Sequence, residues 1–128
     1  MTTLRRRRSF NDLKDSATTV TYMEKKSVLE QLREFVAERD WSQFHSSENL
    51  AKSVSIEAAE LLELFQWDSD VDEARLRDEI ADVLTYCYLL ADKHGLDPNE
   101  IVLQKLEQTK NKYPADKARG KSTKYDRL

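Results

Sequence analysis

From Ser27 to Arg39 the apolar residues Val28, Leu29, Leu32, Phe35 and Val36 recur at steps of three and four with charged residues between them, the pattern of an amphipathic helix. Ser27 with Glu30 three positions on predicts a capping box at its start. The period fails over Asp40 to Ser47, where aromatic and small polar residues mix, and this stretch reads as an ordered loop ending in Ser47 as the cap of a second helix, about Glu48 to Gln66. A polar connection around Asp68, Ser69 and Asp70 leads into a third helix, about Asp72 to His94, which Gly95 closes in the left-handed conformation. Asp97, Pro98 and Glu100 set out an N-cap, a first-turn proline and an acidic third residue in order, predicting a fourth helix from Pro98 to about Lys112, stopped by Pro114.

Residues 1–23 lack apolar periodicity and read as a flexible basic and polar tail, with Arg5 to Arg8 as a short basic block. The domain is expected over 24–128, with a second basic, polar tail from about residue 115. Two Gly, two Pro and 35% charged residues in 128 suit an all-α fold, a four-helix bundle too small for a large core without self-association.

A net charge of -3 argues against binding a nucleic acid polymer. No run reaches the roughly 20 apolar residues of a membrane span, and no apolar stretch near Met1 resembles a secretory signal. Cys87 has no partner for a disulfide or zinc site. The expectation is a cytoplasmic protein with no membrane partner.

Acidic residues lie where the helical pattern is apolar. At roughly 100° per residue, Leu50, Val54, Leu61 and Leu64 project within about 60° of Glu57, and Glu60 falls on the flank of the same stripe. Leu76, Val83, Tyr86 and Leu90 share a stripe with Glu79, with Asp82 to its side. Each helix thus carries an acid pair at i and i+3, and a short connection favours antiparallel packing that brings the pairs together.

Four clustered carboxylates left uncompensated would cost more than the roughly 5–15 kcal/mol stability of a whole domain. A set of oxygens without His or Cys suits a hard cation, Mg²⁺ or Mn²⁺, whose remaining positions commonly take water and substrate phosphate. Salt bridges to Arg75, Arg77, Lys93 or Lys105 would compensate single pairs, but surface pairs have no reason to choose apolar stripes. A di-iron bundle would need Glu-x-x-His, and neither His45 nor His94 has Glu three residues before it.

Glu57-Ala-Ala-Glu60 followed by Glu79-Ile-Ala-Asp82 resembles the ExxE and ExxD pair of MazG-like pyrophosphohydrolases. Similarity to the dCTP pyrophosphatase branch extends through Glu38 to His45, Leu64 to Trp67 and Lys112-Tyr113-Pro114. The resemblance implies an all-α homo-oligomer, with tetramers built from paired dimers, that converts a nucleoside triphosphate to the monophosphate and pyrophosphate. It makes Glu57, Glu60, Glu79 and Asp82 the metal ligands through which catalysis runs, with no general base assigned. It sets Trp41, Ser42, Gln43, Phe44, His45, Trp67 and Tyr86 around the nucleotide, with Lys105 and Lys112 as candidate phosphate contacts. Two positions depart from the family: Thr109 stands where many relatives have Asn, and Leu32 where some cytosine-selective members have His.

Magnesium chemistry fits these residues, since a divalent ion neutralises a triphosphate and activates water for attack on the α-phosphorus. The reading is therefore Mg²⁺-dependent hydrolysis of dCTP or a modified dCTP, for nucleotide-pool sanitation. A non-catalytic helical scaffold or adaptor remains the alternative, with aromatic residues as ordinary core or interface groups and the lysines as solvated ones.

Overall fold

The computed structural model describes residues 25–128; the expected N-terminal tail lies outside the described residues. The described elements are helices α1 (Val28–Glu38), α2 (Ser47–Glu63), α3 (Glu73–Lys93), α4 (Pro98–Lys112) and the short α5 (Ala115–Ala118), with 3-10 turns at Trp41–Phe44 and Tyr125–Arg127. No strand occurs among the described residues, so the fold is all-α as expected.

Local chemistry sets most helix ends. At the start of α1 the Glu30 amide donates to Ser27 Oγ at 3.2 Å, and the Ser27 amide donates to Glu30 Oε2 at 2.8 Å. Two amides that a helix start would leave unpaired are thereby satisfied. At the end of α3 the Leu96 amide donates to the Ala91 carbonyl and the Gly95 amide to Asp92. This Schellman closure needs the positive φ of 66° that Gly95 adopts. Asp97 caps α4 by accepting from the amides of Asn99 and Glu100 at 2.8 and 3.0 Å.

Two boundaries differ from expectation. The cap of α2 is Ser46, whose Oγ accepts from the Asn49 amide at 3.1 Å. Ser47 is the first helical residue, and its hydroxyl instead lies 2.9 Å from His94 Nε2. α2 also stops at Glu63 rather than near Gln66, because the Phe65 and Gln66 amides bond back three residues to Leu62 and Glu63, tightening the chain out of the α-helix.

The C-terminal stretch, expected as a polar tail, is ordered against α4. Tyr113 and Tyr125 meet edge to face with centroids 6.0 Å apart, and the Lys112 ammonium lies 5.0 Å from the Tyr125 ring centroid.

α2 and α3 pack antiparallel, joining Ser47 to His94 at one end and setting Glu57 beside Asp82 midway. α1 lies on α3, tied by Arg33 to Asp92. The interior is small: Val36, Leu50 and Ala91 are the buried apolar residues among those described. Ile56, Leu62, Ile80 and Leu84 on α2 and α3 remain exposed, as do Ile101, Val102, Leu103 and Leu106 on α4. No described helix is long and apolar enough to cross a membrane.

Candidate metal centre and adjoining cleft

The stripes of α2 and α3 bring three acids to one point. One carboxylate oxygen each from Glu57, Glu79 and Asp82 lies within 4.8 Å of the others. Glu57 and Glu79 are half-buried and Asp82 is exposed, so the group opens to one side. Glu60 is exposed and stands outside this three-oxygen group, close enough for its charge to act on Glu57. Burial, followed by the charge of Glu60 and then of Asp82 and Glu79, pushes the Glu57 carboxyl above its usual range.

Glu79 Oε2 is buried and has no hydrogen-bond partner among the described residues. A buried acceptor left unpaired costs free energy that a ligand would recover. Converging carboxylate oxygens suit a hard divalent cation, which would satisfy the orphaned oxygen and offset the like charges together. The residues present therefore fit a metal held by Glu57, Glu79 and Asp82.

Beside the acids is a cleft of about 340 Å³. Glu57 and Asp82 form its acidic end, and its walls come from α1, the Trp41–Phe44 turn and α3. Trp41 and Phe35 meet edge to face with centroids 5.5 Å apart, leaving flat apolar surface beside the polar groups of His45 and Tyr86. The turn is fixed at both ends. Gln43 Nε2 donates to the Asp40 carbonyl and to Asp40 Oδ2 at 2.9 and 3.0 Å, and Asn49 Nδ2 donates to the Phe44 carbonyl at 2.9 Å. Asp40 itself takes a φ of 51° to leave α1.

Trp41, His45 and Tyr86 are thus brought to the acids, whereas Ser42 lines an adjoining hollow of about 240 Å³ with Arg33, Asp92 and Lys93. Gln43 serves the turn itself, and Phe44 is exposed. Trp67 is 90% exposed in a separate surface hollow with Phe65 and Gln66. Lys105 lies 3.5 Å from Gln108 Oε1, and Lys112 lies over Tyr125; neither lines the cleft. Among the described residues the cleft lining contains no Lys or Arg, and a bound cation would supply countercharge to a polyanion entering it.

Leu32, Phe35, Thr85 and Leu89 also line the cleft. Phe35 and Leu89 carry the same periodic signal as core residues, so sequence alone does not mark them as a pocket wall, whereas the family resemblance already singles out the position of Leu32. The signal available for Thr85 was its spacing, since Asp82, Thr85, Tyr86 and Leu89 follow at i, i+3, i+4 and i+7 on one face of α3.

The profile of the MazG-like family matches residues 52–128. Curated relatives include dCTP pyrophosphatase 1 of Homo sapiens, 41% identical, and of Mus musculus, 39% identical, each match covering 74% of this chain. The chain spans 62% of the length of those relatives. Among solved structures, a pyrophosphatase from Archaeoglobus fulgidus superposes with a TM-score of 0.63 at 44% identity, over 68% of this chain and 89% of that one.

Proposed function

This chain belongs to the MazG-like family, and from that premise we propose that it is a Mg²⁺-dependent nucleoside triphosphate pyrophosphohydrolase. In this reading it acts on dCTP or a 5-modified dCTP, as a cytoplasmic homo-oligomer that clears its substrate from the nucleotide pool. The observation that carries the proposal is the three-oxygen acid group with its orphaned Glu79 Oε2, opening directly onto the aromatic cleft. The names of the curated relatives support the substrate.

Hydrolysis adds water at the α-phosphorus and breaks its bond to the α,β-bridging oxygen, giving the monophosphate and pyrophosphate. Glu57, Glu79 and Asp82 would hold the ion, with Glu60 beside Glu57 as the fourth acid of the set. A bound divalent ion supplies countercharge to the triphosphate and to the charge that develops at phosphorus. Trp41 and Phe35 offer the base a flat apolar surface, and the fixed Trp41–Phe44 turn makes that surface preorganised. His45 and Tyr86 supply polar contacts from opposite walls.

Self-association is part of the proposal. An exposed apolar face marks an interaction surface, and α4 exposes Val102, Leu103 and Leu106 on one side. A second copy covering them would extend the small interior built on Val36, Leu50 and Ala91.

The test is pyrophosphate release from canonical and 5-modified nucleoside triphosphates, with Mg²⁺ and then with excess chelator. Chelator-sensitive release favouring dCTP-type substrates is expected. Another preference would keep the reaction and discard the base, and no release from any nucleotide would leave a non-catalytic scaffold.

A further inference from the structure

Apart from its acids, the cleft presents, among the described residues, four side chains able to hydrogen-bond: Trp41, His45, Thr85 and Tyr86. They differ in what they can tell apart. An indole N–H only donates, while a neutral imidazole and a phenol can each donate or accept. His45 and Tyr86 can therefore adjust to either a carbonyl or an amine on a bound base. Thr85 cannot adjust freely. Its hydroxyl already donates to the Ala81 carbonyl, four residues back, at 2.8 Å. The single hydrogen is committed to the backbone, and what remains on the oxygen are lone pairs that only accept.

Position adds to chemistry. Thr85 follows the acid Asp82 by three residues on α3, an advance of about 4.5 Å along the helix axis. Leu89 stands a further turn along the same cleft wall. A nucleotide whose phosphates lie at the acids would extend its sugar and base along that wall, between Thr85 and Leu89 on α3 and Leu32 and Phe35 on α1.

We propose that Thr85 is a specificity-determining residue, accepting a hydrogen bond from the exocyclic amine of cytosine and disfavouring the 4-keto group of uracil or thymine. The assignment rests on the pyrophosphohydrolase reading above. A 4-keto oxygen would meet the lone pairs of Thr85, and accommodating it requires breaking the bond to Ala81. Leu32, on the facing helix, brings no hydrogen-bonding group to compete for this role.

The experiment compares kcat/KM for dCTP and dUTP in the full-length Mg²⁺-loaded protein and in its Thr85→Val and Thr85→Ser variants. Valine keeps the shape and removes the acceptor, so the dCTP-to-dUTP ratio should fall about tenfold, the scale of one net hydrogen bond, through a higher KM for dCTP. Serine should restore the ratio. A ratio in Thr85→Val within twofold of wild type, or serine failing as fully as valine, would overturn the assignment. The triphosphate of the pyrimidin-2-one nucleoside, which lacks the 4-amino group, tests the unmodified protein without any variant. It should lose about the same factor relative to dCTP, and hydrolysis as efficient as that of dCTP overturns the proposal. Failure of the wild type to release pyrophosphate from any nucleoside triphosphate would instead remove the pyrophosphohydrolase reading, and release only from nucleotides other than dCTP and dUTP would overturn Thr85's role while keeping that reading.

Discussion

Arg33 on α1 grips both carboxylate oxygens of Asp92 near the end of α3, its Nε donating at 3.1 and 3.0 Å. The same guanidinium reaches Asp92 a second time through Nη2. These bonds hold the Asp92 carboxyl below its usual range. A depressed folded-state pKa contributes stability above the unfolded value, about 3.9 for Asp, and that contribution is lost as pH falls through the folded value. Arg33 is 55% exposed, so solvent screening keeps the pair weak. Asp92→Asn should lower the melting temperature by a few degrees at pH 7, with the gap to wild type closing below about pH 4. Thermal melts from pH 7 to pH 3 check this, and a gap of constant size would detach the effect from the ion pair.

Much of the chain's plan is legible in its sequence, because several helix ends depend on one or two side chains. Ser27 with Glu30, Asp97 with Pro98, and Gly95 act locally, and they stand where the pattern sets them. The end of α2 was less legible, since Leu64 and Phe65 continue the apolar period and no Gly or Pro marks the exit after Glu63. The adjacent serines Ser46 and Ser47 are equally able to cap, and only the tertiary contact to His94 distinguishes them. At the site, helical spacing foresees that Glu57, Glu79 and Asp82 converge, but it does not separate Glu60 from Asp82, since both are i+3 partners about 60° off their stripes and only the packing of α2 on α3 decides which of them meets the group. The resemblance sets Trp67 around the nucleotide, and in the single chain its place after α2 leaves it exposed and apart from the cleft lining.

Leu50 is 2% exposed and is the most deeply buried large side chain among the described residues. In so small an interior there is little else to absorb a cavity. Leu50→Ala is expected to cost about 2–5 kcal/mol, read as a fall in the urea midpoint at fixed protein concentration. A loss under about 1 kcal/mol would mean that the site collapses around the alanine.

On α4, Val102 and Leu103 are 65% and 62% exposed, with Leu106 one turn on. If another copy covers this face, buried charge should break the association, because an unpaired carboxylate is costly in an apolar contact. The double variant Val102→Glu/Leu106→Glu should sediment at a lower mass than wild type and melt at a lower temperature. An unchanged mass would move the interface to the exposed residues of α2 and α3.

Glu57 permits the sharpest separation of a metal centre from a structural charge cluster. Its carboxyl is pushed up by burial and by Glu60, Asp82 and Glu79, so in chelator the ionised side chain works against the fold. Glu57→Gln keeps the shape and removes the charge, and should therefore melt above wild type without metal. The same change deletes a ligand oxygen. A cation that binds the folded state stabilises it with the logarithm of its concentration relative to Kd, by about 2.7 kcal/mol at one hundred times Kd, and the variant should lose most of that gain. The order of melting temperatures is thus expected to invert between chelator and saturating Mg²⁺. An acid serving only in a salt bridge gives a different pattern, with the variant melting below wild type by the same margin in both conditions.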